Sequence, residues 1–98
     1  MGTKAERRVA ATLVSAYHEA RLNELVARVA DAVDRHRAGE LDAFEVDKVI
    51  HRYQRAARQL WTFCGQSGAE VELAAHTIRR MAEDGVAVDW WERGGTRH

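Results

Sequence analysis

Residues 3–38, 40–64 and 69–84 contain neither glycine nor proline, in a chain with seven glycines and no proline at all. Glycine and proline are the strongest interruptions of helices, so these uninterrupted spans are the natural helix candidates. Three start signals agree. Thr3-Lys-Ala-Glu6, Asp42-Ala-Phe-Glu45 and Ser67-Gly-Ala-Glu70 each set a capping residue three positions before a glutamate. In that spacing the two side chains satisfy otherwise unpaired N–H groups of the first turn. Leu41 and Val46 flank the second signal as a hydrophobic staple would. The pattern predicts helices over 3–38, 42–64 and 67–84, then an irregular tail over 85–98. A fourth Asp-x-x-Glu, Asp89 to Glu92, can start one last short turn. The expected fold class is all-α, in one helical domain spanning 1–98. It is a three-helix hairpin or bundle with a long first helix, or a four-helix bundle if that helix breaks near residue 22.

A chain of 98 residues is one small domain that buries about two-thirds of its unfolded surface, so its core is thin. With 46% hydrophobic and 31% charged residues it is globular rather than disordered. Fifteen basic residues balance fifteen acidic ones, so no global field draws it to nucleic acid or to an anionic membrane. No apolar run approaches the roughly 18 residues of a membrane span, and the first residues have no signal-peptide core. A single cysteine cannot form an internal disulfide and suits a reducing cytoplasm. Arginine far outnumbers lysine, which beside abundant Ala and Val reads as a high-GC bacterial genome, not as a function.

The second helix carries most of the reactive-looking residues. At about 100° per residue, Val46, Val49, Ile50, Tyr53, Ala57, Leu60 and Cys64 share one broad face, with Trp61 and Phe63 beside it. Lys48, His51, Arg52, Arg55, Arg58 and Gln59 share the other. Cys64 therefore belongs to the apolar stripe, as a small hydrophobe, and His51 points away from it. Acids precede this helix and occupy its first turn, and none occurs between Lys48 and Ala69. That order complements the helix dipole. It also leaves Lys48, Arg52, Arg55 and Arg58 as a basic ridge able to contact an anion, nucleic acid or an acidic partner face.

Asp47-x-x-x-His51 and Glu72-x-x-x-His76 each place an acid and an imidazole one turn apart, the minimal element of a bundle metal site. Both pairs lie on polar faces, where such rows are ordinarily solvated partners. Gly65-Gln-Ser-Gly68 is a turn with Ser67 as cap, too short for a phosphate-binding loop and unlike a nucleophile elbow. No catalytic residue, metal or cofactor is expected.

The first helix is odd. Val9, Leu13, Ala16, Tyr17 and Ala20 lie on one face, and Leu22, Leu25, Val26, Val29 and Val33 nearly opposite. Either the helix breaks near Asn23 or one unbroken rod serves two partners. No glycine or proline marks a break, which favours the rod. Its C-terminal half would then pack on the other two helices, and its N-terminal half would project and need another chain, most simply in a two-fold homodimer. His18 and His36 fall on the second apolar side, at an interface or core edge. In the tail, Val86, Val88 and Trp90 alternate as in an extended arm, either a lid on the chain's own core or, with Trp91, an anchor for a partner. Residues 94–98 read as a frayed end.

The stretch GELDAFEVDKVIHRYQRAARQLWTFC, residues 39–64, with the later DWWERG, residues 89–94, resembles segments of small helical proteins of high-GC actinobacteria. The likeness covers the chain after residue 38. It implies a helical fold and attaches no activity, cofactor or site residue. The sequence thus points to a cytoplasmic protein-interaction or assembly module, with Val9, Leu13, Ala16, Tyr17, Ala20, Trp90 and Trp91 as its expected contact surface. A nucleic-acid-associated regulator using the basic ridge, and a small metalloprotein or enzyme using the two acid–histidine pairs, are the alternatives.

Overall fold

A computed structural model describes residues 3–95. Its elements are α1 (Lys4–Arg37), α2 (Ala43–Cys64), α3 (Gly68–Glu83) and α4 (Trp90–Gly95). No strand occurs among the described residues. The first three helices start where the capping signals stand. Glu6 N–H donates to Thr3, Glu45 N–H to Asp42 and Glu70 N–H to Ser67, whose box is closed by the Glu70 carboxylate on its own N–H. The fourth signal also forms. Glu92 N–H donates to Asp89 Oδ1 at 3.1 Å, so the end of the tail is a helix. α1 and α3 end alike, on a glycine with φ of 80° at Gly39 and 68° at Gly85. There Glu40 N–H reaches Arg35 O and Val86 N–H reaches Met81 O, each at 2.8 Å, satisfying carbonyls the helix leaves unpaired.

α1 is unbroken, and α1 and α2 form an antiparallel hairpin. The aromatic pairs Tyr17–Phe63 and His18–Trp61 join the early part of α1 to the end of α2. At the turn, His36 Nδ1 lies 2.9 Å from Leu41 O. A carbonyl can only accept, so Nδ1 carries the hydrogen. Because α1 is longer than α2, its N-terminal turns extend past the hairpin. α3 packs there, within the same chain. Arg7 faces Glu72 at 3.9 Å, and Ala10 and Val14 share one buried cluster with Ala74, Ala75, Leu60 and Cys64.

This corrects the expectation of a projecting, partner-seeking N-terminal half. α1 does serve two partners, but both belong to its own chain. Its two apparent faces conceal one seam that runs between them: Ala10, Val14, Tyr17, Arg21, Leu25, Arg28 and Ala32. Spacings of three and four residues keep these positions on one stripe. Four of them, Ala10, Val14, Leu25 and Ala32, are buried. Two are arginines, half-buried Arg21 and exposed Arg28, that hold their guanidinium groups over aromatic rings, Arg21 on Tyr17 at 5.7 Å and Arg28 on Trp91 at 5.4 Å.

Candidate interaction surface

A helical hairpin has two grooves, one on each side of the plane containing its helices. In this chain one groove is filled and the other is bare.

The filled groove holds α4. Trp90 is buried against Phe63, ring centroids 5.1 Å apart, and its Nε1–H donates to Tyr17 Oη at 2.9 Å. Trp91 lies between two cations, with Arg52 4.7 Å and Arg28 5.4 Å from its ring centre. Gly94 makes the docking possible. A β-carbon there would sit 2.7 Å from Ala56 Cβ and 2.8 Å from the Arg52 carbonyl oxygen, so no larger residue fits. Side chains of α2 then satisfy the carbonyls of this six-residue helix, which is too short to bond them internally. Arg52 Nε donates to Trp91 O at 2.9 Å, Arg55 Nε to Gly94 O at 2.7 Å and Gln59 Nε2 to Arg93 O at 3.1 Å. Arg52 Nη2 also meets the Glu92 carboxylate at 3.2 Å.

Several expectations change as a result. Trp90 is spent inside the chain, so the tail forms the lid of the two alternatives, with Trp90 opening α4 instead of continuing an extended arm. The frayed end is corrected for Gly94, which is buried in α4, while residues 96–98 lie outside the described residues. Leu13 and Tyr17 pack against the shared core because α3 and α4 cover that part of α1; Val9, Ala16 and Ala20 stay exposed on its outer side. The basic ridge is not a uniform row. Arg52 and Arg55 clamp α4, Arg58 is exposed and borders a separate hollow with Tyr53, Ala57 and Trp61, and Lys48 is exposed.

The bare groove lies between the opposite edges of the same two helices. By helical spacing its floor is Leu22, Val26, Val29 and Val33 from α1 and Val46, Ile50, Tyr53, Ala57 and Trp61 from α2. None of the nine is fully buried, but seven are half-buried, and Leu22, Tyr53 and Ala57 pack against the core from this side. Val26 is 47% exposed and Trp61 58% exposed, although each sits in an apolar row. Trp61 forms one wall of an open hollow with Tyr53, Ala57 and Arg58, and meets His18 edge-on at 6.5 Å. Exposed apolar residues scattered singly are ordinary; here Val26 and Trp61 are the exposed members of an otherwise half-buried apolar row shared by two helices.

The remaining chemical candidates are occupied locally. His51 Nδ1 donates to Asp47 O at 2.8 Å, Glu72 faces Arg7, and His76 is exposed. No group of three potential metal ligands occurs among the described residues. Cys64 is 2% exposed, and burial pushes its thiol up from 9.0 to about 11, so it stays protonated and unreactive at neutral pH. No helix among the described residues is long and apolar enough to cross a membrane. No protein-family model, curated protein or solved structure matches this chain.

Proposed function

We propose that this protein is a helical interaction module whose contact surface is the bare groove of the α1–α2 hairpin, and that the groove's occupant is the same groove of a second copy. The carrying observation is the contrast between two grooves of one hairpin, the bare one keeping Val26 and Trp61 open to solvent.

Three features favour a second copy. The formal net charge is zero, so two copies meet without long-range repulsion. The rims carry opposite charges at opposite ends. On α1, Glu19 and Arg37 stand about five turns apart on one edge, and on α2, Asp47 and Arg58 stand about three turns apart. Turning a second copy end for end about a two-fold axis across the groove brings Glu19 toward the partner's Arg37 and Asp47 toward the partner's Arg58. The same rotation closes both pairs, as an isologous interface requires. Finally, the area suits a reversible pair. A stripe about 22 Å long and about 20 Å wide gives about 450 Å² per copy, about 900 Å² in total, the size of a weak, transient contact rather than of a stable dimer. A lone buried thiol suits a reducing compartment, and we place the protein in the cytoplasm.

Small-angle scattering over a concentration series tests the reading. The Cα radius of gyration of one chain is 16.1 Å. The apparent value is expected to rise with concentration for wild type and to stay at the single-chain value for Val26→Glu. Growth that Val26→Glu does not suppress would place the interface elsewhere. No growth at any concentration would remove the proposal.

A further inference from the structure

On the face of α2 that meets the end of α4, Lys48, His51, Arg52 and Arg55 surround an open depression of about 580 Å³ together with Gly95. Their spacing places them on successive turns of one face. Among the described residues, no acidic side chain lines the depression. The two nearest acids in the clamp and helix start are engaged at its edges, Glu92 with Arg52 and Asp47 with His51.

The docking of α4 changes what these cations can do. A free surface arginine loses side-chain entropy when it grips a ligand, which cancels much of the gain. Arg52 and Arg55 have already lost it, because Nε of each is fixed on an α4 carbonyl and Arg52 is also stacked on Trp91. Arg55 uses only Nε in this clamp, and its terminal NH₂ groups are not part of it. His51 holds its Nδ1–H on the Asp47 carbonyl, so it offers a phosphate an N–H at Nε2 only as the imidazolium. A guanidinium held in place presents the fork that matches a phosphate, and a lysine supplies a mobile point charge beside it.

We infer that the depression lined by Lys48, His51, Arg52 and Arg55 is a binding site for the phosphate groups of a small organic phosphate. The cations form a patch beside one helix end rather than a stripe along the molecule, and the whole chain is neutral. A long polyanion needs an extended basic track. The volume lies within the range of small-molecule sites and exceeds what a single inorganic ion fills. Arg58 is excluded from the site because it borders the bare groove instead.

The test titrates the full chain with inorganic pyrophosphate at constant ionic strength, following the Nε–Hε NMR signals of the arginines. Arg52 and Arg55 signals are expected to move saturably. Lys48→Ala is expected to weaken binding about fivefold, the scale of one lost charge-assisted contact, and Arg58→Ala to leave it unchanged. Both variants alter exposed side chains, and their melting temperatures verify that α4 stays docked. A random single-stranded oligonucleotide in the same assay gives the polyanion arm. Absence of saturable movement up to about 10 mM, where even a millimolar site fills, would overturn the inference. Equal losses in Lys48→Ala and Arg58→Ala would do so too, as would an oligonucleotide bound more tightly per phosphate than pyrophosphate.

Discussion

The two grooves of the α1–α2 hairpin are made from the same helices, yet they reached different states. The groove over Arg52, Ala56 and Gln59 is filled by α4, whose backbone approaches so closely that Gly94 admits no side chain. The groove over Ile50, Ala57 and Trp61 is floored by apolar residues and remains open. The difference lies in what lines each. The filled groove presents long polar side chains that reach the carbonyls of a short helix, together with a small alanine that lets it in. The bare groove presents branched and aromatic residues with charges only at its rims. One holds a helix end, and the other is the surface we propose meets a second copy.

The comparison breaks most sharply at Trp90. Trp90→Ala removes a buried ring and the bond to Tyr17, and is expected to cost about 3–5 kcal/mol, a large part of the stability of so small a domain. Urea unfolding measures it. A loss below about 1 kcal/mol would mean that α4 contributes little and that the two grooves are alike. Gly94→Val is expected to cost about 1–3 kcal/mol through overpacking against Ala56. In that variant, amide exchange should accelerate in α4 while the middle of α2 stays protected.

The helix boundaries were largely legible in the sequence. Four capping residues each precede a glutamate by three positions, and Gly39 and Gly85 take up the left-handed conformation that ends a helix. The seam of α1 was not. It sets Val14 and Leu25 among alanines at Ala10 and Ala32 and arginines at Arg21 and Arg28, so half of its buried positions carry a weak apolar signal, while strongly apolar Val9 and Val26 lie off it. The clamp was hidden for another reason. A bond from Arg52 or Arg55 to a carbonyl 39 residues onward leaves no periodic mark in sequence, so a folded-in helix cap looked like an exposed ridge.

Smaller effects sharpen the same contrast. Arg55→Ala removes the donor to Gly94 O and is expected to cost about 1 kcal/mol; lysine, a point charge without the planar fork, should restore only part of it. Tyr17→Phe leaves the Trp90 indole N–H without its acceptor and should cost about 1 kcal/mol by thermal unfolding. The core beneath both grooves can be probed through Cys64. With its thiol pushed up to about 11 from 9.0, folding favours the protonated form, so its contribution is complete below pH 9 and is lost as pH rises toward 11. At pH 8 a thiol reagent should label the native protein far more slowly than the urea-unfolded chain, and equal rates would show that the site opens freely.

On the bare side, substitutions should leave the single chain nearly as stable as wild type and act on association alone. Sedimentation equilibrium of wild type beside Val26→Glu, from micromolar to near-millimolar protein, tests this most directly. We expect wild type to fit a reversible monomer–dimer equilibrium and Val26→Glu to remain monomeric with an unchanged melting temperature. A wild-type protein that stays monomeric across the whole range would contradict the account.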